Sequence, residues 1–110
     1  MFVPDHLEHI DTLVKGAMRA IEEDSGTSPV LHAVVKEFSR KSNKALQGLS
    51  NPEDEDVWTH IVELEQAGDS ANVAADADEG VQAGTRRHVR DAHDAICQLK
   101  TEMIAQGRRS

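Results

Sequence analysis

Apolar side chains recur every three or four positions in four separate stretches of the chain, the spacing of helices that each hide one flank. Leu7, Ile10, Val14, Ala17 and Ile21 form the first stripe and predict a helix over about residues 4–24. The second covers about residues 29–49, with Leu31, Val35, Phe38, Ser42, Ala45 and Leu49 on one face. A third starts at Pro52 and carries Val57, Ile61, Leu64, Gly68, Ala71 and Ala75, its stripe passing from bulky to small residues after Leu64. The fourth is clearest over residues 85–106, with Val89, Ala92, Ile96, Leu99 and Met103 inward. No segment shows the period-2 alternation of a strand.

The punctuation between stripes agrees with this reading. Pro4, Pro29 and Pro52 each open a periodic segment, where a missing N–H costs nothing. Ser28 and Asn51 stand before two of them as N-cap residues, and Glu53, Asp54 and Glu55 put negative charge at the positive end of the third helix. Ser25-Gly26-Thr27 ends the first helix, and Gly48 with Ser50-Asn51 marks the turn after the second. Continued to Glu79, the third helix would reach about 42 Å, against roughly 30–35 Å for the others. It is therefore expected to kink near Gly68 or to loosen between Asp76 and Gly84, with Gly80 and Gly84 in a loop. Short connections make consecutive helices antiparallel neighbours. The expected fold is all-α, an up-down-up-down four-helix bundle forming one domain over residues 1–110, with residues 106–110 as a frayed tail. No internal repeat stands out.

Composition narrows the partners. Phe2, Phe38 and Trp58 are the only aromatic residues among 110, so Leu, Ile, Val, Ala and Met must build the core, which suits close helix–helix contact. A formal net charge of −8, from 20 acidic against 12 basic residues, repels phosphate backbones and anionic lipid, so neither nucleic acid nor membrane is an expected partner. One cysteine, Cys97, leaves no internal disulfide, and the N-terminus lacks a signal-peptide pattern. A cytoplasmic location is expected on both grounds.

Six histidines are the first candidates for chemistry: His6, His9, His32, His60, His88 and His93. Antiparallel packing would gather His6, His9 and His60 at one end and His32, His88 and His93 at the other. A metal site using His60, His88 and His93 with neighbouring carboxylates, holding iron or zinc, is the alternative reading. The Glu-x-x-His spacing of di-iron bundles is absent, as are zinc-protease and haem-attachment motifs. Glu65, Asp69, Asn72, Asp76 and Glu79 make an acidic line on the third helix, expected to face Arg86, Arg87 and Arg90. Asp76-x-Asp78-x-Gly80 hints at a calcium loop, but Arg87 stands where a bidentate Glu is required. Lys36, Arg40 and Lys44 form a basic stripe on the second helix, read as a solvated face. His93 and Cys97 are four residues apart and share a side, but no third group positions them, so Cys97 reads as structural.

Thr12-Leu13-Val14-Lys15-Gly16 resembles the histidine-phosphotransfer motif, with Thr12 in place of the phosphorylated histidine, so the resemblance implies no phosphotransfer there. Residues 16–24 are similar to the first helix of small copper-sensing repressors, whose thiolate ligands have no counterpart here. No catalytic constellation emerges and no cofactor is required. The expected function is non-enzymatic association, regulatory or structural, as a homodimer. Phe38 and Trp58 are its candidate anchors, and Gly68, Ala71 and Ala75 the small residues that let another helix come close.

Overall fold

The computed structural model describes residues 3–50 and 57–105, and every regular element in them is helical. Four helices, α1 (Val3–Glu23), α2 (Pro29–Ser50), α3 (Val57–Ala77) and α4 (Ala83–Ala105), form the bundle. Each packs on its neighbour in sequence, and α1 closes the ring against α4. The expected start at Pro52, the acidic residues 53–55 and the tail at 106–110 lie outside the described residues.

Apart from Leu49 and Val57, whose side chains lie outside the described residues, the stripes point where their spacing requires. Leu7, Ile10, Val14, Ala17 and Ile21 of α1 are buried, as are Leu31, Val35, Phe38, Ser42 and Ala45 of α2. The same holds for Ile61, Leu64, Gly68, Ala71 and Ala75 of α3 and for Val89, Ala92, Ile96, Leu99 and Met103 of α4. One polar pair sits among them: buried Ser42 donates its hydroxyl to Asp11 Oδ1 at 2.8 Å, and Lys15 Nζ lies 2.7 Å from Asp11 Oδ2. Asp11 falls just beside the α1 stripe, and only the approach of α2 encloses it.

Ser28 caps α2 as its type and place before Pro29 predict, its hydroxyl accepting from Leu31 N–H at 3.2 Å. The end of α3 follows the second of the two expectations: the helix runs unbroken through Gly68 and ends at Ala77. Gly84 is a correction. It lies inside α4, which begins at Ala83 rather than Thr85, because a carboxylate from the opposite loop fixes the helix start.

That carboxylate belongs to a reciprocal lock between the α1–α2 and α3–α4 loops. Asp24 accepts from Gly26 N–H at 2.9 Å with Oδ1 and from Gln82 N–H at 2.8 Å with Oδ2. Asp78 accepts from Gly80 N–H at 3.1 Å with Oδ1 and from Ser28 N–H at 2.8 Å with Oδ2. Between them Gly26 and Gly80 bring their backbones together so closely that a methyl group on either would overlap the other's carbonyl oxygen.

The lock exposes a repeat that the sequence hides. Glu23 and Ala77 end α1 and α3, Pro29 and Ala83 open α2 and α4, and both pairs are 54 positions apart. The same shift carries Leu7, Ile10, Val14, Ala17 and Ile21 onto Ile61, Leu64, Gly68, Ala71 and Ala75, so buried positions map onto buried positions. Few residue types survive it, among them Ala17/Ala71, Asp24/Asp78, Gly26/Gly80 and Val35/Val89.

Candidate functional site

Within this frame, α3 and α4 bring three chemically distinct side chains together. His93 points its Nε2 at Asp69 Oδ1, with which it is hydrogen-bonded, and Cys97 Sγ lies 3.4 Å from the same nitrogen. All three donor atoms fall within 4.8 Å of one another. The helical repeat stacks His93 and Cys97 one turn apart on α4, and α3 supplies Asp69 across the groove.

Burial grades across the group. The Asp69 side chain is 53% exposed and that of His93 16%, while Cys97 is half-buried. His93 packs its ring edge against Gly68, where an added Cβ would lie 3.4 Å from His93 Cδ2. Its Nδ1 is buried with no hydrogen-bond partner, and Asp94 Oδ1 stands 3.7 Å away. Burial, then the carboxylates of Glu65, Asp69 and Asp94, push the Cys97 thiol above its ordinary value, with Lys100 opposing them. A thiol so placed stays protonated at neutral pH, which argues against an activated nucleophile.

The histidines proposed from sequence as a metal site do not meet. His88 lies five residues before His93, about 140° around α4, and turns instead toward α1, where its Nδ1 lies 3.5 Å from a Cβ built on Gly16. His60 stands nine residues before Asp69, about 13 Å along α3, and close in sequence to Glu63, which pairs with Lys41 of α2. Of the three, only His93 belongs to the cluster, and its companions are Asp69 and Cys97. The sequence shows the His93/Cys97 pair and puts Asp69 in an acidic line; what it cannot show is the axial register that makes Asp69 the missing third group. Two more members of that line face α4: Asp76 lies 3.8 Å from Arg90 and 4.0 Å from Arg86 as expected, and Glu65 lies 3.5 Å from Lys100, whereas Glu79 falls in the turn beyond the end of α3.

The residues named for association divide in two. Phe38, Gly68, Ala71 and Ala75 are fully buried within the chain, where Phe38 fits the notch at Gly68, its Cζ 3.1 Å from a Cβ built there. The small size of Gly68, Ala71 and Ala75 serves the chain's own helices. Trp58 is partly buried against the edge of the core. The outer side of α3 has its own small and apolar residues, Ser70, Val73, Ala74 and Ala77, which line a shallow groove with Val30 and Val34 of α2 and with Asp69. Val30 and Val73 are 66% and 67% exposed.

No described helix is long and apolar enough to cross a membrane. Comparison of the chain with protein-family models, with curated proteins and with solved structures finds no match in any of the three. The functional reading therefore rests on the chain's own chemistry.

Proposed function

We propose that the bundle is a non-enzymatic association module that pairs with a second copy of itself through the face shared by α2 and α3. The observation that carries this reading is the exposure of Val30 and Val73 on either side of a groove whose other walls are Val34, Ala74 and Ala77. Valines two-thirds exposed over a floor of small residues leave apolar surface in water, and a partner helix can approach such a floor closely.

Charge favours a second copy as the occupant. Lys36, Arg40 and Lys44 are exposed on α2, and on α3 the exposed Asp69 lines the groove with exposed Asp76 two turns along the same helix. A two-fold axis parallel to the helices lays α2 of one copy over α3 of the other. Each basic row then runs along an acidic row, and the apolar strips meet between them.

Sedimentation velocity over a wide concentration range tests this. The wild-type chain is expected to form a dimer that dissociates on dilution. The variant Val30→Glu/Val73→Glu should stay monomeric with unchanged helical circular dichroism, because both side chains lie on the surface. A wild-type monomer at every concentration would overturn the reading.

A further inference from the structure

We propose that Asp69, His93 and Cys97 form a binding site for a borderline-soft divalent cation of the zinc type, with the fourth position open to water. The site lies in the α3–α4 groove, and the proposal does not depend on self-association across α2 and α3.

The donor set selects the cation. One sulfur, one imidazole nitrogen and one carboxylate oxygen suit zinc-like ions, whereas magnesium and calcium require oxygen throughout. Around a tetrahedral ion, bonds of about 2.3 Å to sulfur and 2.0–2.1 Å to nitrogen set those two ligands roughly 3.5 Å apart. Cys97 Sγ and His93 Nε2 already stand at 3.4 Å. The Asp69–His93 hydrogen bond draws those two ligands together, and a small outward turn of the exposed Asp69 side chain would admit an ion between them. The surrounding charge favours a cation, since the Asp94 carboxylate stands 3.7 Å from His93 and the one nearby lysine, Lys100, is matched by Glu65 at 3.5 Å.

The second nitrogen of His93 points independently to the same state. Nδ1 is buried and has no hydrogen-bond partner, so without an ion the neutral ring keeps its proton on Nε2, facing Asp69. Metal-binding histidines hold the opposite tautomer, with the far N–H given to a carboxylate or carbonyl. Asp94 Oδ1, 3.7 Å from Nδ1 on a side chain 68% exposed, needs only a small swing to accept that proton. Binding then balances as follows: the ring proton passes from Nε2 to Nδ1, the thiol proton leaves to solvent, and the ion takes Nε2, the thiolate and the Asp69 carboxylate. One proton is released for each ion bound.

Cobalt(II) is the probe, because a thiolate–cobalt bond gives a charge-transfer absorption that histidine and carboxylate alone do not. Titrating the reduced wild-type chain with cobalt(II) should raise this band together with tetrahedral ligand-field bands, saturating at one ion per chain, and zinc(II) should abolish both. Cys97→Ser should lose the charge-transfer band, and His93→Gln should lose saturable binding. Asp94→Asn should weaken binding about 10–100-fold, as loss of an outer carboxylate does. Zinc should also raise the melting temperature of the wild type but not of Cys97→Ser. Circular dichroism of the variants checks that they remain folded. A folded wild type that gives no charge-transfer band, or Cys97→Ser and His93→Gln variants that bind cobalt as the wild type does, would overturn the proposal. The latter result would point instead to surface groups such as Asp5, His6 and His9.

Discussion

Asp24 and Asp78 cap each other's loops: each carboxylate holds a glycine N–H two residues ahead with one oxygen and a backbone N–H of the opposite loop with the other. The backbone contacts are the same on both sides, so the lock joins the two helical hairpins as near-equivalent halves. It sets the start of α4 and fixes how far α3 slides along its neighbours.

The lock makes the fold acid-sensitive. Hydrogen bonds from Gln82 and Gly26 N–H, helped by the Thr85 hydroxyl, hold the Asp24 carboxyl below its ordinary value, and those from Ser28 and Gly80 do the same for Asp78. A depressed folded value means the ionised form stabilises the fold. That contribution is complete above about pH 5 and disappears as the pH falls below about 4. The variant Asp24→Asn/Asp78→Asn should melt at a lower temperature than wild type near neutrality, with the two melting curves converging on acidification. Glu37 and Glu63, lowered by Arg40 and Lys41, act alike in both proteins and cancel from the comparison. Parallel curves would show that the carboxylates are not linked to folding.

Gly26 and Gly80 leave no room for a side chain where the loops cross. Gly26→Ala or Gly80→Ala should each cost about 1–3 kcal/mol by urea denaturation, because backbone rather than a flexible side chain must yield. The double variant should cost less than the two together, since the first methyl already parts the loops.

The buried Asp11–Ser42 pair ties α1 to α2. Asp11→Ala leaves the Ser42 hydroxyl without its acceptor and should destabilise by about 1–3 kcal/mol. Removing both partners should cost less than the sum of the single losses, and a double-mutant cycle by chemical denaturation measures the difference. Strict additivity would mean the pair contributes nothing beyond its separate parts.

Phe38 against Gly68 is a large-to-small fit whose counterparts, 54 positions away, are Ala92 and Val14. Phe38→Ala should cost about 3–5 kcal/mol. Gly68→Val should cost about 1–3 kcal/mol by crowding both Phe38 and His93. Combined, the substitutions recreate the Ala/Val pairing of the other half, so the double variant should recover part of the loss, measurable by thermal or urea unfolding.

The repeat escaped the sequence because volume was redistributed across it. Phe38 and Gly68 became Ala92 and Val14, and Leu31 became Thr85, so that few residue types survive although the pattern of burial does. Gly84 misled for a related reason. A glycine next to a turn reads as loop, but Asp24, on the far side of the bundle in sequence, caps Gln82 and starts the helix before it. The candidate metal site was half legible. His93 and Cys97 are one turn apart on any helix, while Asp69 joins them only once α3 and α4 are aligned.

The sequence by itself determined four helices, the inward face of each, and their up-and-down order, because apolar spacing, capping residues and short turns act within a few residues of chain. Only the tertiary structure decided which side chains meet across those faces. That depends on the rotation and axial slide of one helix against another, fixed here by the Gly26–Gly80 contact, the Asp24 and Asp78 carboxylates and the seating of Phe38 on Gly68. Helical periodicity carries no information about these offsets, since sliding a helix leaves its own pattern unchanged.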